Sequence, residues 1–282
     1  MDENLPTLGV SRKRACVHPP QREPQSALYR RGLLSISRVL TVASRKQENV
    51  DRAVEQLRKV GKEVVGVTAD VRDPDAVLRG LETGVAQHGN IDVLVSGAAG
   101  NFLSSATDLS PNGFRVVVDI DLIGTFHVMR AAFPYLVKPG AAVINITAPQ
   151  SFVPMRYQAH ACAAKAGVDQ LTRVLALEWG PHGIRVNSIS PGPIAGTEGS
   201  RKLSAPGTGQ GAIEMVPLRR MGTKDDIAWL AMFLASPYAT YISGAVIPCD
   251  GGGAIESVKP IIEAAGKIDA EHKRASSPAP GL

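Results

Sequence analysis

The chain has 282 residues, 44% hydrophobic and 20% charged, with a net charge of +5. That balance suits a globular α/β protein, long enough to be built on one large sheet. The basic residues Arg12, Lys13, Arg14, Arg22, Arg30 and Arg31 gather in the N-terminal stretch and do not line one folded face, so no nucleic-acid partner is expected. No apolar run reaches bilayer length, so no membrane span is expected. Cys16, Cys162 and Cys249 are too few and too scattered for a disulfide framework or a zinc site, and no metal is expected. No secretory leader pattern and no terminal Ser-Lys-Leu signal is visible, which sets the expectation of a reducing, cytoplasmic setting.

Residues 1–38 read as a divergent, irregular segment, because Pro19-Pro20-Gln-Arg-Glu-Pro24 breaks helices and cannot donate in a central strand. A nucleotide-binding α/β chain should open on an apolar strand and a Gly-rich turn, followed by a helix whose N-terminus faces the pyrophosphate. Before Gly61 there are only Gly9 and Gly32, and neither sits in such a turn. Two readings stand: a shifted reading frame or wrong start has replaced the first βα unit, or the protein has lost the usual phosphate grip.

From Val39 the pattern becomes regular. Val39–Ser44 reads as a strand with Arg45 and Lys46 at its carboxyl end. An acidic residue there suits the ribose of NAD; a guanidinium suits the extra phosphate of NADP. Residues Gln47–Val60 form an amphipathic helix, with Val50, Ala53, Val54 and Leu57 on one face. Glu63–Thr68 is a strand closed by Asp70-Val71, Asp73–His88 a helix, and Ile91–Val95 a buried parallel strand. The small residues Ser96-Gly-Ala98-Ala-Gly100 then allow a cofactor close to the backbone. Pro111–Leu136 reads as one long helix carrying Asp119 and Asp121. An apolar strand, Ala142–Thr147, precedes a small-residue helix from Tyr157 through Lys165, whose apolar face is Leu171, Val174, Leu175 and Leu177. Ile184–Ile194 is a strand ending in a Pro/Gly turn. Gly196 to about Val216 is the place for a mobile substrate loop. A helix over Asp225–Ala235 and a last strand running to Asp250 finish the domain. The expected division is thus 1–38 divergent, 39–256 a Rossmann-type reductase domain, and 257–282 a loose tail.

Asn-Ile-Thr at 145–147, Ala163-Ala164-Lys165-Ala166-Gly167, Leu177-Glu178-Trp179-Gly180, Arg185-Val-Asn187-Ser, Pro191-Gly-Pro-Ile-Ala-Gly-Thr-Glu198, Ala98-Ala-Gly-Asn-Phe102 and Asp119-Ile-Asp121-Leu-Ile-Gly-Thr125 stand in a shared order. The chain resembles the short-chain dehydrogenase/reductases over about Val39–Gly252, and within them the 2,4-dienoyl-CoA reductases of the peroxisomal type and their bacterial relatives. The resemblance implies a doubly wound parallel sheet, with the first βα unit missing or replaced. It also implies NADPH as cofactor, an acyl-CoA substrate and a homotetramer in which the Pro111 and Lys165 helices meet a partner. Cofactor contacts would come from Arg45, Asp70, Val71, Ala98, Gly100, Lys165, Pro191, Gly192 and Ile194. Asn101, Phe102, Ser110 and Gln150 would border the substrate, although Phe102 reads equally well as core packing.

The resemblance departs at the chemistry. The superfamily places a Tyr four residues before the Lys and a Ser about thirteen further back, and here those positions are Ala161 and Ala148. Tyr157 lies about 12 Å from Lys165 along a helix, against about 6 Å for the usual spacing, too far to replace the acid directly. A ketone needs such a donor at its oxygen. A conjugated thioester needs oxyanion stabilisation and a proton delivered to carbon. Relatives lacking that Tyr are thought to use an Asp with the Lys, which here gives Asp121 and Lys165 as the catalytic pair, Asp121 reading equally as a structural carboxylate. The alternatives are a reductase or dehydrogenase of another small carbonyl compound, and a non-catalytic dehydrogenase-like protein without a working cofactor site.

Overall fold

Short β-branched runs become strands and the amphipathic runs between them become helices, and the computed structural model describes residues 7–11, 39–197, 213 and 216–258. The strands are β1 Thr7–Ser11, β2 Val39–Ser44, β3 Glu63–Thr68, β4 Val93–Ser96, β5 Ala142–Ile146, β6 Arg185–Pro191 and β7 Val246–Cys249. The helices are α1 Gln47–Lys59, α2 Pro74–His88, α3 Pro111–Val118, α4 Gly124–Ala132, α5 Ala159–Trp179 and α6 Lys224–Ala235. Among the described residues they form one sheet in the order β3-β2-β1-β4-β5-β6-β7. The β2–β3, β4–β5, β5–β6 and β6–β7 pairs are parallel, so their carboxyl ends share one edge, where such folds bind ligands.

The exception is β1. It fills the slot between β2 and β4 and runs antiparallel to both, with Thr7 opposite Ala43 and Ser11 opposite Val39. This corrects the expectation of irregular chain throughout 1–38. The five-residue run Thr-Leu-Gly-Val-Ser carries a central Gly, which weakens a strand, so its local signal is poor. The two parallel halves on either side supply the pairing, and neither β2 nor β4 is left as an open edge. Reversal has a cost in function: the carboxyl end of β1, at Ser11, faces the edge opposite to the ligand edge.

Successive side chains of a strand point to opposite faces, and both faces here are covered. On one, Leu94, Val143 and Val186 pack with Val77, Val128, Met129, Leu175 and Trp179 from α2, α4 and α5. On the other, Val42, Val64, Val93, Ile144 and Ile189 meet Ala53, Val54 and Leu57 of α1 and Ala231 and Leu234 of α6. Asp73 caps α2 by accepting from the backbone N–H groups of Asp75 and Ala76, and Thr223 and Asp226 form a reciprocal capping box on α6.

Two helix expectations change. The buried stripe of α5 runs through Ala161, Ala164, Lys165, Val168, Thr172, Leu175 and Trp179. Val174 and Leu177 fall off it, and Leu177 is 80% exposed. The expected long helix from Pro111 to Leu136 is broken: a π-helical turn, Asp119–Ile123, separates α3 from α4, and a 3-10 turn, Phe133–Tyr135, follows. Most of the expected substrate loop, and the expected tail beyond Val258, lie outside the described residues.

Candidate active site

Wide π turns insert an extra residue into a helix and recur where a side chain has to be re-aimed. The turn Asp119–Ile123 does this to Asp121, which is 1% exposed. One carboxylate oxygen, Oδ1, accepts from the Gly100 backbone N–H at 2.6 Å, tying the turn to the loop after β4. The other, Oδ2, lies 3.2 Å from Lys165 Nζ, close enough for an ion pair but not aligned as a hydrogen bond. Lys165 comes from the buried face of α5, is 7% exposed, and donates to the Ile146 carbonyl at 3.3 Å. An ammonium has three N–H groups, so this arrangement leaves it capacity for another acceptor at the carboxyl end of β5. Burial pushes the Asp121 carboxyl above its ordinary range, opposed by the Lys165 charge and the Gly100 N–H. A buried carboxyl with a raised pKa beside a buried cation is a combination found where protons are moved.

The two alanines are placed as the sequence suggests: Ala161 is buried on α5, and Ala148 follows β5 directly before the 3-10 turn Pro149–Ser151. Tyr157 does not share the helix of Lys165, since α5 begins at Ala159. It sits before the helix with φ of 65° and an exposed side chain. A left-handed backbone costs a non-glycine residue about 1–2 kcal/mol. In return the Tyr157 carbonyl accepts from the Ser104 N–H at 2.9 Å, pinning the loop after β4 to the start of α5.

Three of the four expected substrate-side residues come together there. Asn101 Nδ2 and Gln150 Nε2 both donate to Gln158 Oε1, at 2.7 and 3.0 Å. Phe102, 39% exposed, stands edge-on to the His160 ring at 4.3 Å between centroids, so it lies at the surface rather than filling the core. Ser110 instead caps α3, accepting from the Gly113 N–H at 3.0 Å. Sequence reasoning missed Gln158 and His160. His160 is wholly buried; its Nδ1 accepts from the Ala161 N–H at 2.8 Å, and burial pushes its pKa down. A buried His just before a helical lysine was the available signal; Gln158 gave none in its periodicity.

This fold implies a nicotinamide dinucleotide, and the residues expected to meet it lie at the carboxyl ends of several strands. At the carboxyl end of β2 stand Arg45 and Lys46. Beyond β3, Asp70 is held by Arg72 through contacts of 2.6–3.2 Å, with its pKa lowered chiefly by that hydrogen bonding. The Val71 carbonyl is 2.9 Å from His127 Nδ1, and Gly124 is required beside it, since a Cβ there would lie 2.5 Å from Val71 Cγ2. Ala98 and Gly100 follow β4. At the end of β6, the Gly192 N–H donates to the Cys249 carbonyl at 3.1 Å, and Pro193 and Ala195 bracket Gly222 through two bonds of 2.9 Å. Ile194 forms the bridge in between. Lys165, with its spare donor capacity, suits the ribose hydroxyls. The middle is different: β1 turns its carboxyl end away, and no Gly-rich turn faces the pyrophosphate among the described residues.

Helices on both faces of a largely parallel sheet, and charged groups collected at the strand carboxyl ends, define a Rossmann-type oxidoreductase. The chain belongs to the short-chain dehydrogenase/reductase family, and the member family described as enoyl-(acyl carrier protein) reductase matches residues 37–253. It is 43% identical over 223 residues to the peroxisomal 2,4-dienoyl-CoA reductase of Arabidopsis thaliana, covering 76% of this chain and 75% of that one. It is 44% identical over 214 residues to the enzyme of that name from Rattus norvegicus, covering 75% and 73%. A probable 2,4-dienoyl-CoA reductase of Bacillus subtilis is 38% identical over 215 residues, covering 75% and 85%. Among solved structures, a short chain dehydrogenase from Bacillus anthracis superposes with a TM-score of 0.70 at 37% identity, covering 76% of this chain and 85% of that one.

Proposed function

We propose that the chain reduces 2,4-dienoyl-CoA, or a related unsaturated acyl-CoA, with NADPH, in fatty acid β-oxidation. The observation that carries this is the buried Asp121–Lys165 pair standing where Ala161 and Ala148 replace a phenol and a hydroxyl. NADPH, which Arg45, Asp70, Val71 and Lys165 would hold, would supply a hydride for C5 of the diene. Charge then spreads through the conjugated system to the thioester oxygen. The second N–H of each amide, Asn101 and Gln150, serves that oxygen. Asp121, whose hold on a proton burial strengthens, delivers a proton to C2, directly or through water, leaving the C3–C4 double bond. The sum is dienoyl-CoA, NADPH and a proton going to 3-enoyl-CoA and NADP, the product in the names of the Arabidopsis and rat relatives. Lys165 holds the ribose hydroxyls and adds positive field beside the developing negative charge.

The assembly belongs to the same proposal. Phe114, Ile123, Phe126, Val174 and Leu177 are exposed apolar side chains on α3, the π turn, α4 and α5, a surface suited to another copy in a homotetramer. A cytoplasmic setting suits the free cysteines Cys162 and Cys249.

Arg45 carries the cofactor preference. Losing a charged hydrogen bond to a phosphate costs about tenfold or more in affinity. Fluorescence titration of Arg45→Ala should therefore show NADPH weakened by that factor and NADH unchanged. Equal weakening of both cofactors contradicts the phosphate contact. No binding of either to the wild-type chain at millimolar concentration favours the non-catalytic reading.

A further inference from the structure

We infer that Gln158 is a positioning residue: its side-chain oxygen fixes Asn101 and Gln150 as a pair of amide donors aimed at one carbonyl oxygen. Gln158 stands at the N-cap of α5 but makes no capping bond; that position normally serves the helix's own free N–H groups. Its side chain is spent across space, on the loop after β4 through Asn101 and on the turn after β5 through Gln150. The residue is 8% exposed, and among the described residues its nitrogen has only a 3.8 Å contact with Met155 Sδ, so the two accepted bonds decide its orientation. That orientation is anchored by the backbone. The Phe102 N–H donates to Asn101 Oδ1 at 2.8 Å, which forces Asn101 to present its nitrogen to Gln158, and Gln158 its oxygen in return. The strained Tyr157 immediately before it holds the same loop through Ser104. Each donor amide spends one N–H on Gln158 and keeps the other. Without that oxygen, the loop after β4 and the turn after β5 lose the side-chain link that sets their amides relative to each other.

This inference rests on the proposed thioester chemistry, and the test separates the two. Gln158→Met keeps the length of the side chain and removes the acceptor; Gln158→Glu keeps an acceptor oxygen. With 2,4-dienoyl-CoA, Gln158→Met should lower kcat and kcat/KM together by roughly 10- to 100-fold, the scale of a disturbed oxyanion donor. NADPH binding should be unchanged, and Gln158→Glu should recover most of the rate. In an Asn101→Ala/Gln150→Ala background, Gln158→Met should add less than about threefold, as expected of residues that act as a unit. A Gln158→Met enzyme with wild-type rates, or one whose full loss multiplies onto that background, overturns the inference while the reaction stands. The second readout is the infrared carbonyl band of bound, carbonyl-labelled 2-enoyl-CoA: lowered in frequency by the wild-type protein, and returned toward the solution value by Gln158→Met. If the wild-type protein shows that pattern but reduces no diene, the reaction fails and the role of Gln158 stands. An unshifted wild-type band, or a shift that Gln158→Met leaves in place, removes the role whatever the turnover. Thermal midpoints of both variants identify any loss that comes from unfolding, and Gln158→Glu then decides alone.

Discussion

Lys165→Met should lower turnover of 2,4-dienoyl-CoA by roughly a thousandfold, the upper range for removing one preorganised electrostatic group from a water-poor site. NADPH should also bind more weakly, because the ammonium beside the Ile146 carbonyl is the group proposed to hold the ribose. The fold should survive. Removing one partner of a buried ion pair costs about 3–5 kcal/mol when the other charge stays uncompensated, but Asp121 has an escape. Burial already raises its pKa, and without Lys165 it rises further and the group is neutral. The native variant then holds a proton that the unfolded chain releases above the ordinary carboxylate range. Its stability is highest below that range and falls as pH rises through the folded pKa. The gap in thermal midpoint between wild type and Lys165→Met should accordingly widen from acid to neutral pH. A gap independent of pH, or undiminished turnover, removes Lys165 from the site.

Asp121→Asn should slow turnover by about a hundredfold with little change in KM, the lower range for losing a general acid. Asparagine keeps an oxygen for the Gly100 N–H, now 2.6 Å from the carboxylate, so the loop after β4 stays anchored while the proton source is lost. The wild-type kcat should fall as pH rises through the elevated pKa of Asp121, because the acid form is the active one. Asp121→Asn should be flat across that interval. Wild-type rates in the variant make Asp121 a structural carboxylate; a slow variant that keeps the alkaline fall assigns the titration to another group.

The parts of this molecule legible in its sequence are those with a local period. β2, β3, β5, the amphipathic α1 and the capped α2 all fall within a residue of the expected bounds, while β6 ends at Pro191, three residues before the expected end. What could not be read depends on distant partners. Thr7–Ser11 is a strand because two parallel strands flank an open slot, not because its five residues insist on it. Asp119-Ile-Asp-Leu-Ile reads as uninterrupted helix, and only packing against Gly100 and Lys165 shows why its turn is wide. Leu177 looked apolar enough for a core, yet the buried stripe of α5 passes it by, which turns attention to a partner surface. In the site, the resemblance points to Asp121 and Lys165 as the catalytic pair and to Asn101 and Gln150 beside the substrate. Gln158, which joins those donors, belongs to no motif, because its role exists only once two loops and a helix start are brought together.

The most direct measurement is loss of the nicotinamide absorbance of NADPH with a 2,4-dienoyl-CoA and, in parallel, with a 3-ketoacyl-CoA of the same length. A buried acid–lysine pair without a phenol predicts steady oxidation of NADPH with the diene, 3-enoyl-CoA as product, and no turnover of the ketone. Brisk reduction of the ketone with the diene left untouched would contradict it.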